Sequence, residues 1–149
     1  MEKLKCYVLT VSKTFPVKHP RKRQLTCFAS MILKNLKKHT IRVNYELWKK
    51  RIDEVNKGKA YISLRQWSGL PYKSKQVEFK QLHKGEVGIE KLQLTPLGWF
   101  INDKVTKFEM KDFASNDGLA FLDFVEWFKG ANFFKEMAII HFSTMRYDK

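Results

Sequence analysis

The sequence predicts an α+β fold in which about six strands curl into a barrel flanked by two to three helices. Three observations lead to this prediction. Segments with strand periodicity alternate with segments of helical periodicity, several strands in the second half follow one another through short connections, and hydrophobic residues make up 44% of the chain. The length of 149 residues suits one compact domain over 1–149, and the sequence shows neither a repeat nor a linker.

The first half begins with a strand predicted over 4–11, where strand-forming residues alternate. Two prolines keep the following segment, 12–23, out of regular structure, so we predict a basic loop there. Its cations Arg21, Lys22 and Arg23 have two interpretations, as a phosphate-gripping arm or as an ordinary surface loop. Apolar residues at three-and-four spacing then predict an amphipathic helix over 24–37.

A second helix is predicted from Tyr45 to Asn56, with Asn44 as its cap and Gly58 as its stop. The next two strands, 59–67 and 72–82, form a predicted hairpin. Aromatic and polar side chains on this hairpin can stack on a base and bond its edge. They are Arg65, Gln66, Trp67 and Tyr72. The alternative is a Trp-Tyr pair that only stabilises the hairpin.

The second half predicts a strand over 87–94, a hairpin over 99–109, a short helix over 119–129 and a final strand over 137–142. Asp117 stands just before the short helix. An aspartate at that position is typical of an N-terminal cap, and the alternative is a carboxylate that takes part in chemistry.

The segment 36–43 carries the most chemistry, because Lys37, Lys38, Thr40 and Arg42 lie within six positions between a helix and a strand. Successive side chains of a strand point to opposite faces, so Thr40 and Arg42 share one face while His39 takes the other. A turn before the strand can fold the Lys37 amine back toward the Thr40 hydroxyl. The alternative is that these lysines simply complement the negative end of the helix dipole.

The pattern Lys37-x-x-Thr40-x-Arg42, between a helix and a strand, resembles the signature of the ASCH family within the PUA-like superfamily. The order of elements is similar over most of the chain, and the resemblance implies a PUA-like curled barrel. Small bacterial members are N4-acetylcytidine amidohydrolases. The resemblance therefore implies Thr40 as the nucleophile, Lys37 as the group that activates it, and Asp117, where those enzymes carry a glutamate, as the group that orients Lys37 or relays a proton. The chain is longer than those enzymes.

Charge and composition narrow the class of ligand. The net charge is +14, and residues 1–60 hold 16 Lys and Arg against 4 Asp and Glu. Such a field favours a polyanion, usually nucleic acid, and the alternative is a lysine-rich surface that keeps the protein in solution. Lys38 and the cations of the basic loop would contact phosphates.

Several classes of protein are not expected. No apolar run approaches the ~20 residues of a membrane span, and no signal segment begins the chain, so we expect a cytoplasmic protein without a membrane partner. Cys6 and Cys27 are predicted to be buried free thiols. No metal-ligand spacing appears, so neither a metal nor a cofactor is expected. We expect a monomer.

Three functions remain open from the sequence. The first is a module that binds nucleic acid or a modified nucleoside through a Lys/Thr/Arg pocket. Among nucleic acids, RNA is favoured. The second is an amidohydrolase acting on an acylated nucleoside such as N4-acetylcytidine. The third is a protein-interaction domain without a specific ligand.

Overall fold

The computed structural model describes residues 3–148, and within them the chain forms eight strands and four helices. The strands are β1 (Lys5–Thr10), β2 (His39–Val43), β3 (Ala60–Trp67), β4 (Gln76–Leu82), β5 (Gly88–Thr95), β6 (Gly98–Ile101), β7 (Lys104–Val105) and β8 (Met137–His141). The helices are α1 (Phe28–Leu33), α2 (Tyr45–Asn56), α3 (Met110–Asn116) and α4 (Phe121–Trp127). The fold class is therefore α+β.

The strands are divided between two sheets. One has the order β1-β3-β4, with β1 parallel and β4 antiparallel to β3. The other is antiparallel and has the order β2-β8-β5-β6-β7. Within residues 3–148 the two sheets do not close into a barrel, so the predicted curled barrel is not confirmed. The structure has more strands than the six or so predicted, although β7 is only two residues long, and its fourth helix, α3, was not anticipated.

The strands contribute much of the hydrophobic core, and all five residues of β8 are buried. Ala60, Ile62 and Leu64 of β3 are buried, as their alternation predicts. Helix α2 has the predicted bounds, and Trp48, Ile52 and Val55 form its buried side. The Asn44 side chain accepts a hydrogen bond from Leu47 N, as expected for a cap.

Helix α1 is much shorter than the predicted 24–37 segment. It ends at Leu33, and Asn35 adopts a left-handed φ of 58° that stops the helix. The predicted apolar face of this helix is also wrong in part, because Leu25 and Leu33 are exposed while Phe28 and Ile32 are buried. The lysines that follow are consequently not in the last turn of a helix.

Three other expectations fail. Helix α3 lies between the predicted hairpin and the predicted short helix, where no element was predicted, and Phe113 and Ala114 anchor it in the core. Both cysteines are free but exposed, because Cys6 points outward from β1 and Cys27 lies at a left-handed position before α1. Strand β4 begins at Gln76, since Tyr72 has a φ of 62° that a strand cannot accommodate. None of the helices in residues 3–148 has the length and apolarity needed to cross a bilayer.

Candidate functional site

A cavity of about 260 Å³ lies where the N-terminal end of β2 meets the end of β1, α1 and the α3–α4 connection. Its polar lining comes from Lys37, Thr40, Arg42 and Asp117, together with Thr10 and Ser12. Aromatic and aliphatic side chains form the remaining walls, and they are Phe28, Leu119, Trp127 and Phe128 together with Val11 and Ile41. The structure thus brings the three groups of the Lys37-x-x-Thr40-x-Arg42 pattern and Asp117 into one concavity.

Lys37 is turned into the protein, and only 2% of its surface is exposed. The left-handed Asn35 reverses the chain after α1, and the amides of Leu36 and Lys37 both bond Met31 O. The Lys37 ammonium donates to the backbone carbonyl and to Oδ1 of Asp117, the latter at 3.3 Å. It also lies 4.2 Å from the centre of the Phe28 ring, a cation–π contact. Lys37 is therefore a cavity residue and not a solvated helix-capping lysine.

Arg42 and Thr40 project from the same face of β2. The Arg42 guanidinium donates to Thr40 Oγ1 at 2.6 Å and to the carbonyls of Ile41 and Thr10 at 2.9 and 2.8 Å. These bonds fix the guanidinium against two strands, and its other N–H groups have no partner among residues 3–148. Because the Thr40 oxygen accepts from Arg42, its own proton is available to a ligand. Within the described chain no hydrogen bond joins Lys37 Nζ to Thr40 Oγ1.

Asp117 ends α3, and its side chain enters the cavity instead of capping α4. The N-cap residue of α4 is Ala120, so the predicted cap role is wrong. Asp117 Oδ1 accepts from Lys37 and from His39 Nδ1, the second at 3.2 Å. His39 lies on the opposite face of β2 from Thr40, and its Nε2 is 2.6 Å from the Tyr147 hydroxyl. The carboxylate therefore links the two faces of β2.

Burial dominates the electrostatics of these groups. It lowers the pKa of Lys37, with Arg42 acting in the same direction and the Asp117 carboxylate opposing. Burial also lowers the pKa of His39, which keeps the ring neutral, so Nδ1 carries the proton given to Asp117 and Nε2 accepts from Tyr147. The cavity lining thus has two basic side chains, Lys37 and Arg42, against one acidic side chain, Asp117.

A second buried hydrogen-bond network positions the tail residue that contacts His39. His141 Nε2 donates to Glu90 Oε1 at 2.7 Å, and the two carboxylate oxygens of Glu90 accept from the amides of Tyr147 and Asp148 at 2.8 and 2.9 Å. These bonds hold the C-terminal tail so that Tyr147 reaches His39. Within residues 3–148, His141 Nδ1 has no hydrogen-bond partner, and burial lowers the pKa of this histidine.

The remaining predicted binding residues lie outside the cavity. Arg21 pairs with Asp123 at 2.7 Å and covers the Phe15 ring, so it holds the basic loop against α4. Lys22 is exposed, and the backbone of Lys38 is fixed by bonds to Asn116 and Phe142. The hairpin residues Arg65, Gln66, Trp67 and Tyr72 do not line the cavity either. Arg65 bonds Ser63 Oγ at 2.8 Å, whereas Arg23, Trp67 and Tyr72 line a neighbouring groove.

Sequence reasoning missed several residues that shape the site. Neither Trp127 nor Phe128 was predicted as a site residue, and neither was Tyr147. The aromatic pair at the end of α4 was the available signal for the cavity wall. Nothing in the sequence around Tyr147 signals its role, because its partner His39 lies 108 positions away.

Comparisons with protein-family models, curated proteins and solved structures gave no match. The likeness to ASCH proteins therefore depends on the pattern from Lys37 to Arg42 and on the order of elements.

Proposed function

We propose that this chain binds a nucleoside, either free and modified or within RNA, in the cavity built around Lys37, Thr40 and Arg42. One observation carries the proposal: a buried ammonium, a guanidinium with free donors and a hydroxyl converge in a hollow with aromatic walls. Small-molecule sites commonly combine apolar and aromatic walls with a few convergent polar groups. In this proposal the chain belongs to the ASCH/PUA-like group, and its two sheets correspond to the curled PUA-like barrel.

The size and charge of the cavity suit a nucleoside. Drug-sized ligands occupy pockets of about 300–1,000 Å³, so a hollow of about 260 Å³ suits a base with part of its sugar. Phe28 and Trp127 are aromatic residues of the wall against which a base would pack. Arg42 donates to carbonyl oxygens, while the Thr40 proton serves a ring nitrogen or a carbonyl. The positive field of the N-terminal part favours a ligand that carries phosphate.

Titration calorimetry with cytidine, N4-acetylcytidine and uridine tests this proposal. We expect measurable binding of at least one nucleoside, and a loss of at least about tenfold in Lys37→Met and Thr40→Val, since about 1.4 kcal/mol corresponds to a factor of ten. Thr106→Val is the matched control, because Thr106 lies outside the cavity. If none of the nucleosides binds, or if the cavity variants bind as tightly as Thr106→Val, the proposal is wrong.

Amide hydrolysis is the second candidate, and the lowered pKa of Lys37 favours it. A neutral amine can take the Thr40 proton as Oγ1 attacks the acyl carbon, and the leaving amine is then protonated. Water releases the acyl group from Thr40 as a carboxylic acid. The hydrogen bond from Arg42 stabilises negative charge on Oγ1. Binding ranks first because Lys37 bonds Asp117 and not Thr40 in this structure.

Turnover distinguishes the two candidates. Chromatography of N4-acetylcytidine incubated with the protein would show cytidine and acetate in equal amounts if the site is hydrolytic. Thr40→Ala would then abolish turnover, with the circular dichroism spectrum unchanged. Binding without turnover leaves the first candidate alone.

A further inference from the structure

A second and larger hollow of about 520 Å³ adjoins the nucleoside cavity. Three consecutive residues, Thr10, Val11 and Ser12, line both spaces, so the two share a wall where β1 runs into the basic loop. The groove is bounded by this loop on one side and by the 69–72 turn on the other. None of the cavity's charged residues lines the groove.

The groove carries an exposed aromatic platform. Tyr72 is 89% exposed, and its ring lies 5.2 Å from the Trp67 ring. Its left-handed φ of 62° is an uncommon conformation for a bulky residue. The turn that holds it is well bonded, because Ser68 N donates to Lys75 O at 2.8 Å and Ser74 Oγ bonds both Gly69 and Leu70. The structure therefore presents the Tyr72 ring to solvent on a braced turn, beside the partly buried Trp67 ring at the end of β3.

The charges of the groove are positive. Lys13 and Arg23 line it, and no acidic side chain does. Lys13 donates to Ser68 O at 2.8 Å, which ties the basic loop to the turn and leaves the amine beside the groove. Arg23 is exposed, and among residues 3–148 its guanidinium has no hydrogen-bond or ion-pair partner. Aromatic faces beside unpaired cations are the means by which proteins bind single-stranded nucleic acid.

We propose that the groove is a second nucleotide subsite, so that the ligand is a single strand of RNA and not a free nucleoside. This inference rests on the proposed function, in which the cavity holds one nucleoside. The strand crosses Thr10–Ser12, the neighbouring base stacks on Tyr72 and Trp67, and a phosphate pairs with Arg23. Arg21 takes no part, because Asp123 already holds it.

The test compares two probes by calorimetry, N4-acetylcytidine and an RNA hexamer that contains one N4-acetylcytidine. We expect the wild-type protein to bind the hexamer at least tenfold more tightly. Tyr72→Ala should weaken hexamer binding by about 5- to 150-fold, the equivalent of the ~1–3 kcal/mol of a stacked base, and leave nucleoside affinity within about twofold. Tyr72→Phe should retain the hexamer affinity because it keeps the ring.

The controls separate the two proposals. Phe134→Ala removes another exposed ring away from both spaces and should change nothing. Arg23→Gln should reduce the slope of log affinity against log salt by about 0.7, the value for one contact to a single strand. Equal affinity for the two probes, or equal losses in Tyr72→Ala and Phe134→Ala, would overturn the second subsite alone. Failure of both probes to bind would overturn the proposed function as well.

Discussion

Removing the Asp117 charge tests whether the cavity holds a tightly coupled ion pair. Asp117→Asn keeps the shape of the side chain and leaves the Lys37 ammonium buried without its carboxylate. Breaking a buried pair from one side costs about 3–5 kcal/mol. Lys37 retains the Asp117 carbonyl and the Phe28 ring, so we expect the lower end, about 3 kcal/mol.

The double variant Lys37→Met/Asp117→Asn removes both charges. Together with the two single variants it completes a double-mutant cycle, which gives the coupling free energy between Lys37 and Asp117. Met fills much of the volume of the lysine stem, and the amide can still accept from His39. We expect the double variant to be more stable than the sum of the single changes implies, with a coupling energy of about 2–3 kcal/mol. Urea unfolding followed by tryptophan fluorescence measures all four proteins, since the chain has 4 Trp.

A surface pair provides the matched control. Lys49 and Asp53 are joined at 2.7 Å on α2, but their side chains are 43% and 44% exposed. A cycle on that pair should give about 0.3–0.5 kcal/mol. If the cavity pair couples no more strongly than the surface pair, the description of Lys37 and Asp117 as a desolvated pair is refuted. The double variant should also fail to bind nucleoside, which separates stability from function.

Three further predictions address the frame of the site. Arg42→Lys should cost about 1–3 kcal/mol and weaken nucleoside binding, because an ammonium cannot replace the guanidinium bonds to two strands; unchanged calorimetric affinity would contradict this. Gly118→Ala should destabilise more than Gly85→Ala, although both have φ of +83°, because a Cβ added at Gly118 would lie 3.1 Å from the Lys37 side chain and one added at Gly85 would meet no atom within 4 Å. Equal urea midpoints would count against this prediction. Burial lowers the pKa of His39 and His141 in the folded protein. As the pH falls below about 6.5, these histidines are therefore protonated first in the unfolded chain, which favours unfolding. The free energy of unfolding should fall by up to ~1.4 kcal/mol per pH unit for each histidine until the pKa values of the folded protein are reached. A slope in His141→Gln equal to that of the wild type would refute the last.

The local geometry of β2 is what the sequence could predict. Alternation along a strand depends on neighbouring residues only, so Thr40 and Arg42 share a face as expected. The bounds of α2 are equally local, since Asn44 and Gly58 frame a clear amphipathic pattern. The early end of α1 was harder to predict, because apolar residues continue past Leu33 and a single left-handed Asn35 interrupts them.

The partners of the buried polar groups could not be predicted. Asp117 lies 80 positions from Lys37, and the choice between helix cap and cavity residue depends on how α3 packs. The local propensity of Asp117 favours a helix cap. The buried Lys37 ammonium requires a carboxylate partner, however, and tertiary packing places Asp117 beside it. The curled barrel was not confirmed for a related reason, since strand order depends on long-range pairing that periodicity does not encode.

Glu90 gives residues 147 and 148 a structural role at the site. Its carboxylate accepts hydrogen bonds from the backbone amides of residues 147 and 148. These bonds hold the Tyr147 hydroxyl within hydrogen-bond distance of His39. Removing those residues would leave His39 Nε2 without its hydroxyl partner, although neither residue lines the cavity. The integrity of the pocket is thus secured from the opposite side of the sheet.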